Sequence, residues 1–252
     1  MPDQTYALSI DSVSKYFGGV QAVRNVSFNV PVGERRALIG PNGAGKTTLF
    51  NTIAGELIPN GGNIHFFGSD ITKKSVQRRA NLGLGRTYQI SQLFLDLTVE
   101  ENLYLAGSGG PWKAFSFLRP WKKNIELRNW VREVADKVAL HDYLFSTVSE
   151  LSHGLQRQLE IGMALAMKPK FIMLDEPAAG LSPAERIILA DIIKKLPREV
   201  TLILIEHDME IVLDIADMIT VMYHGSVIAD GSPADIRSNV EVQKVYLGSS
   251  YV

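Results

Sequence analysis

Three glycines lead into a lysine and two threonines in the stretch Gly40-Pro41-Asn42-Gly43-Ala44-Gly45-Lys46-Thr47-Thr48. Glycines at this spacing let a backbone curl until successive N–H groups converge on one anion. The whole stretch fits the Gly-x-x-x-x-Gly-Lys-[Ser/Thr] pattern of a loop that cradles a phosphate chain. Ala37, Leu38 and Ile39 before it read as a strand, and Leu49, Phe50 and Ile53 after it read as the start of a helix. That context matters, because the helix N-terminus adds about half a positive charge beneath the anion. The pattern predicts that residues 40–48 bind a nucleotide, with Lys46 reaching the β- and γ-phosphates and the Thr47 hydroxyl holding Mg²⁺.

A second cluster lies far along the chain, in Phe171-Ile172-Met173-Leu174-Asp175-Glu176. Four apolar residues ending in two acids predict a buried strand that delivers carboxylates to its carboxyl end, where open α/β sheets bind ligands. Asp175 is expected to support Mg²⁺. Glu176, one residue on, suits a general base that polarises the attacking water.

The elements that must position these groups can be read coarsely. Residues 6–39 are rich in β-branched and aromatic positions, and Pro59-Asn60-Gly61-Gly62 marks a turn before a short strand over 63–67. Leu97–Leu105, Ile125–Leu140 and Ser152–Met167 carry the apolar spacing of helices. After residue 170 the chain alternates strand and helix, as a parallel sheet requires: 170–175, 183–196, 200–205, 208–215 and 218–223. A helical block thus interrupts an α/β core. The 252 residues carry 26 Lys and Arg against 27 Asp and Glu, which leaves no global electrostatic argument for a nucleic-acid partner. The absence of cysteine excludes disulfides and thiolate metal sites. No apolar run approaches the ~18 residues that span a bilayer, and the first residues lack the basic start and long apolar stretch of a signal peptide. These features predict a soluble, cytoplasmic protein.

Leu151-Ser152-His153-Gly154-Leu155-Gln156-Arg157 precedes the acidic strand. There the chain strongly resembles the ATP-binding subunits of ABC transporters, whose signature segment, usually L-S-G-G-Q, opens a helix before such a strand. The other motifs of that family stand in order. Phe17, with Tyr16 second, matches the position that stacks on adenine. Gln89 in Gly85-Arg86-Thr87-Tyr88-Gln89 matches the glutamine that senses Mg²⁺ and contacts the membrane partner. Ala179-Gly180-Leu181-Ser182 sits at the dimer-contact loop, and His207 matches the switch histidine at the γ-phosphate. The resemblance implies a P-loop α/β core with an antiparallel β subdomain and an inserted helical subdomain: a core of about 1–88 and 170–252, and a helical part of about 89–169. It implies two ATPs sandwiched in a head-to-tail dimer, of this chain with itself or with a paralogue. Ser152, His153 and Gly154 would meet the ATP of the opposite subunit. It implies two membrane permease subunits, a separate periplasmic or extracellular solute-binding protein, and a peripheral place on the inner face of the cell membrane.

Three positions depart from the family pattern: His153, Leu155, and Ser182 where many relatives have aspartate. Ser152 and Gly154, a helix cap and an unhindered N–H, are kept. Leu97-Thr98-Val99-Glu100-Glu101-Asn102-Leu103, the run Asp175–Pro183 and the ending Val242-Gln243-Lys244-Val245-Tyr246-Leu247-Gly248 look like importers of branched-chain amino acids. Urea and short-chain amide importers are close kin. The basic and aromatic segment 107–125 fits either a membrane-surface contact or a hydrophobic clamp within the helical block. Two other classes stay open: a non-transport ABC ATPase acting on ribosomes or DNA, which usually carries two cassettes or a long coiled coil, and a P-loop kinase or GTPase acting alone.

Overall fold

The computed structural model describes residues 6–87, 93–109 and 124–247. The chain divides into two compact units, Met1–Leu84 with Arg198–Val252, and Gly85–Pro197.

The first unit holds two sheets. β1 (Tyr6–Phe17) and β2 (Val20–Pro31) form an antiparallel hairpin, β4 (Gly61–Phe66) pairs antiparallel with β1, and the short β5 (Ser69–Asp70) pairs with β4. Val26, Phe28 and Val30 are buried while Ser27 and Asn29 are exposed, the period-two alternation of a strand with one face on a core. In the other sheet β3 (Arg35–Ile39) runs parallel to both β8 (Thr201–Ile205) and β9 (Met218–Tyr223). Every residue of β3 and β8 is buried, which fits the apolar runs Ala37–Ile39 and Leu202–Ile205 within them. β10 (Ser226–Gly231) adds to β9 in the antiparallel sense.

Besides Arg35 at its start, β3 buries one more polar residue, Arg36. Its guanidinium donates to Thr220 Oγ1 (2.7 Å), to the Asn29 carbonyl (3.0 Å) and to Glu34 (2.7 Å), and it pairs with Asp230. One buried cation therefore ties β3 to β2, β9 and β10, with two carboxylates to neutralise it. β3 is the strand that delivers residues 40–48, so this network fixes the base of the loop.

α1 (Lys46–Ala54) starts where the loop ends and buries Leu49, Phe50 and Ile53 completely. Each such side chain contributes about 1.5–3 kcal/mol through removal from water. α1 stops at Gly55, whose φ of +90° is the left-handed C-terminal turn that glycine adopts without a Cβ penalty. α2 (Val76–Asn81) follows β5.

In the second unit β7 (Phe171–Asp175) is buried at every residue and lies beside β6 (Leu84–Arg86). α3 (Val99–Ser108), α4 (Ile125–Lys137) and α5 (His153–Ala166) pack on one another, and α6 (Pro183–Lys195) packs on α5. Gly162 allows the close approach within this block: a Cβ there would stand 3.0 Å from Leu103 Cδ2 and 3.1 Å from Val138 Cγ2. Trp130 Nε1 donates to the Ala166 carbonyl at 3.0 Å and ties α4 to the end of α5. The predicted helix over 125–140 ends at Lys137, because Ala139 takes a φ of +54° and the Leu140 N–H turns back to the Ala135 carbonyl at 2.8 Å. No helix among the described residues is long and apolar enough to cross a membrane. The first unit closes with α7 (Met209–Ile215), α8 (Pro233–Ser238) and α9 (Val240–Leu247).

Candidate active site

The first unit carries the phosphate loop. Gly45 caps α1 with a φ of +99°, and a Cβ there would stand 2.2 Å from the Ala22 carbonyl oxygen of β2. Glycine is thus required twice over, by backbone sign and by the strand laid against it. The Gly225 N–H donates to the Ala44 carbonyl at 2.9 Å, so the turn between β9 and β10 also holds the loop. Lys46 is nearly buried and folds along the loop, its Nζ donating to the carbonyls of Gly40 (2.7 Å) and Pro41 (3.1 Å). The Thr47 side chain is exposed at the first turn of α1.

Phe17 ends β1 at the hairpin turn and is 48% exposed, beside Tyr16 at 43%. Both flank the hairpin whose second strand meets Gly45. Lys15 Nζ stands 5.5 Å from the Phe17 ring centroid. His207 is exposed just beyond β8, its N–H donating to the Glu206 carboxylate at 3.0 Å, while Asp208 caps α7 by accepting from the N–H groups of Glu210 and Ile211. Two helix-cap bonds and one side-chain bond thus fix the backbone around the histidine.

The second unit carries the acids. Asp175 is buried at the end of β7, and Arg86 Nη2 donates to its Oδ2 at 3.1 Å. Glu176 has a φ of +47°. A non-glycine residue in the left-handed region costs on the order of 1 kcal/mol. The turn in which Ala179 N–H donates to the Glu176 carbonyl (3.1 Å) keeps it there. Hydroxyl and carboxylate oxygens, as at Thr47 and Asp175, are the hard donors that Mg²⁺ takes. Among the described residues no group of three or more His, Cys, Asp or Glu could form an all-protein metal cage. A Mg²⁺ held partly by phosphates needs none.

The signature helix α5 begins with Ser152, whose Oγ accepts from the Leu155 N–H at 3.3 Å. Gly154 faces Glu185 of α6: a Cβ at Gly154 would stand 2.4 Å from Glu185 Oε1, and the Gly154 N–H donates to that carboxylate. Ser182 caps α6 in a reciprocal box, its N–H (2.9 Å) and Oγ (2.7 Å) both donating to Glu185 Oε2. The Ser182 hydroxyl and then its N–H hold the Glu185 carboxyl below the usual range, and Gly154 and His153 add to this against a small opposing effect of burial. His153 in turn lies against Gly180, with its Cε1 3.3 Å from where a Gly180 Cβ would be. The structure therefore brings His153, Gly154, Gly180 and Ser182 into one cluster. Gln89 and most of segment 107–125 lie outside the described residues.

Residues 23–179 match the ABC transporter family, and residues 226–252 match the branched-chain amino acid ATP-binding cassette transporter family. The chain is 39% identical to the high-affinity branched-chain amino acid transport ATP-binding protein BraF of Pseudomonas aeruginosa, over 96% of this chain and 98% of that one. It belongs to the ABC transporter ATP-binding family. The protein LivG of Escherichia coli, of the same description, is 37% identical over the same shares. A solved ATP-binding cassette of an ABC transporter in its ADP conformation superposes with a TM-score of 0.85 at 33% identity, covering 96% of this chain and 99% of that one. The Clostridium perfringens cassette cbiO1 gives 0.79 at 28% identity, covering 98% and 97%. As a member of this family the cassette binds ATP and is the ATPase subunit of a transporter.

Sequence reasoning about the cassette passed over several residues that shape the site. Arg86 stood inside a quoted motif yet gave no sign of its pairing with Asp175. Glu185 was legible, since Ser182-Pro183-Ala184-Glu185 has the S-x-x-E form of a capping box with proline at the first helical position. Gly225 reaches the phosphate loop from distant sequence and carries no local signal.

Proposed function

We propose that this cassette hydrolyses ATP to drive import of branched-chain amino acids through a membrane permease. The observation that carries the reading is the strand–loop–helix frame at residues 40–48, with Lys46 folded on the loop and Thr47 exposed at the helix start. Phe17 stacks on the adenine. Lys46 turns from the Gly40 and Pro41 carbonyls to the β- and γ-phosphates, and the loop N–H groups close around them. Thr47 and Asp175, with Gln89, would hold Mg²⁺, which supplies charge neutralisation on the phosphates. Glu176 accepts a proton from water as the water oxygen bonds to the γ-phosphorus. The bond to the bridging oxygen breaks, and ADP and phosphate are released. His207 donates to the γ-phosphate and couples its loss to the first unit.

Ser152, His153 and Gly154 open α5, with the Glu185 carboxylate set against Gly154; we assign to this helix start the γ-phosphate bound to a second cassette, either another copy or a paralogue, which would displace that carboxylate. Two such composite sites, two permease subunits and an external solute-binding protein complete the assembly. The matches to branched-chain amino acid relatives and to their C-terminal family favour that solute over urea or short-chain amides. A groove of about 350 Å³ in the second unit supports the permease contact. Its lining mixes apolar Leu93, Leu105, Met163 and Met167 with polar Arg86, Thr87 and Glu160, and suits a short amphipathic helix. The cassette would then sit on the inner face of the membrane through its partner.

The test mixes two inactive variants. Gly154→Asp puts a negative charge where the phosphate must dock, and Lys46→Ala removes the cation on the other half-site. A head-to-tail dimer of one of each contains one site with both defects and one with neither. Each variant alone is expected to be inactive, and the mixture to recover ATPase activity. Loss of ATP binding by monomeric Gly154→Asp would place the signature segment in the same site as the phosphate loop and refute the two-chain reading.

A further inference from the structure

Ser182-Pro183-Ala184-Glu185 and Ser232-Pro233-Ala234-Asp235 are near-identical helix starts in one chain. Both close the same reciprocal box. Ser232 donates to Asp235 Oδ2 from its N–H (3.1 Å) and Oγ (2.6 Å), and Ser182 donates to Glu185 Oε2 from its N–H (2.9 Å) and Oγ (2.7 Å). An aspartate is therefore long enough to cap such a helix, and the extra methylene of Glu185 is not needed for the cap. It carries the carboxylate to the start of α5 instead. Gly154 is buried although Ser152 and His153 before it are exposed. The three heavy atoms nearest to a Cβ placed there all belong to Glu185: Oε1 at 2.4 Å, Cδ at 2.8 Å and Cγ at 2.9 Å.

That position suits an anion. Gly154 lies in the first turn of α5, where N–H groups have no partner within the helix and the dipole favours negative charge. The Ser152 hydroxyl accepts from the Leu155 N–H at 3.3 Å and leaves the turn open on the Gly154 side. The Ser182 hydroxyl, above all, holds the Glu185 carboxyl below the usual range, so it is ionised at neutral pH. A carboxylate and a phosphate at one helix start satisfy the same donors, so they compete.

We propose that Glu185 is a placeholder, its carboxylate covering the Gly154 end of the signature helix in the separate cassette until the γ-phosphate carried by a second copy of this chain displaces it. The inference rests on the two-cassette site proposed above. A γ-phosphate brings more charge than one carboxylate and wins the exchange, whereas a partner without ATP brings no anion to that position. Closure of the pair is thereby tied to ATP on the partner. The cap uses Oε2 and the Gly154 contact uses Oε1, so Glu185 can leave Gly154 while Ser182 keeps hold of α6.

The test uses the full chain with Mg²⁺ and ATP, in a Glu176→Gln background that slows hydrolysis so that closed dimers accumulate. Glu185→Asp keeps the charge and, by the precedent of Asp235, the cap, but draws the carboxylate back from Gly154. Glu185→Gln keeps the length and removes the charge. Relief from a competing carboxylate at a helix start predicts a gain of about two- to five-fold per composite site, and so about four- to 25-fold in the dimer association constant, because two sites close together. Sedimentation equilibrium at saturating ATP reads that constant. ATP Kd of the dilute monomer should not change, and the melting temperature should stay within about 2 °C of the parent. A Glu185→Asp dimer no stronger than the parent's, at unchanged melting temperature, overturns the placeholder. Where Glu185→Asp melts lower, Glu185→Gln decides by the same comparison, and a weaker dimer with a lower melting temperature in both makes Glu185 a cap alone and overturns it too. A parent that binds ATP yet stays monomeric refutes the pairing of two copies, and the placeholder falls with that reading.

Discussion

Arg79 offers the sharpest quantitative test of how the phosphate helix is held. It is fully buried in α2 and makes no side-chain hydrogen bond to a carboxylate. Nε donates to the Lys74 carbonyl (3.0 Å), Nη1 to those of Thr52 (2.8 Å) and Ile53 (2.6 Å), and Nη2 to that of Thr72 (3.1 Å). Thr52 and Ile53 lie in the last turn of α1, where orphan carbonyls carry the negative end of the helix dipole. Burial pulls the guanidinium pKa down to about 10, against the pull of the Asp70 carboxylate, so the group is charged at neutral pH. Arg79→Met keeps the apolar stem and removes every donor. Four charge-assisted bonds are worth about 1.5–3 kcal/mol each, but deleting a buried charge returns several kcal/mol of desolvation. A net destabilisation of about 2–4 kcal/mol is expected, or roughly 4–16 °C in melting temperature for a chain of this size.

Arg79→Lys should not rescue, because a compact ammonium cannot reach four carbonyls arranged around a planar fork. Thermal denaturation followed by circular dichroism at neutral pH reads both variants. α1 begins at Lys46 and Thr47, so a loosened C-terminal end should also weaken the ATP-induced stabilisation. A melting temperature within 2 °C of wild type for Arg79→Met, or full stability in Arg79→Lys, would show that the fork does not hold the helix.

Two further outcomes follow from the site. Lys46→Ala should leave the nucleotide-free melting temperature near wild type, while the stabilisation of about 2.7 kcal/mol expected at ATP near 100 Kd largely vanishes; an unchanged ATP-induced shift in a melting scan would sink the loop assignment. Glu176→Gly relieves a left-handed φ of +47°, so it should hold or raise the melting temperature by about 0–1 kcal/mol equivalent while turnover falls about 10²-fold or more. A destabilised but active Glu176→Gly would contradict the base assignment and the strain argument together.

The parts of the fold that were legible in the sequence are those whose signals are local. The loop at 40–48 announces itself because glycine spacing, lysine and hydroxyls all serve one anion within nine residues. β3, β7 and β8 are readable from the apolar runs Ala37–Ile39, Phe171–Leu174 and Leu202–Ile205, since strands buried on both faces favour such runs. α2, α8, α9, β6 and β10 were not read: each is eight residues or fewer, too short for periodicity to separate helix from strand. Arg36 and Arg79 were missed for a different reason. Their meaning lies in partners that are close only after folding, such as Thr220 and Asp230 for Arg36. A buried arginine has the same one-letter appearance as a solvated one.

Two of the three departures from the family pattern, His153 and Ser182, acquire a common physical sense once the second unit is folded. Ser182 replaces an acid, yet it keeps the capping role, since serine and aspartate are nearly equal N-caps. The acid in this cluster is supplied by Glu185, which accepts from Ser182 on one oxygen and from the Gly154 N–H toward the other. His153 fills the side facing Gly180, where the usual small residue would leave the dimer-contact loop less supported. Signature helix and dimer-contact loop are thus one hydrogen-bonded piece here, although in sequence they are separate motifs more than a strand apart. The geometry also refines what a side chain at Gly154 would do. Before it reaches any phosphate of a second cassette it meets Glu185, 2.4 Å from the Cβ position. Any substitution there must therefore displace the carboxylate that caps α6, and a defect at Gly154 travels into the loop carrying Gly180 and Ser182. That makes the recovery of activity in the mixed dimer the more demanding result, because the intact composite site must form beside one in which both the helix start and the dimer-contact loop are disturbed.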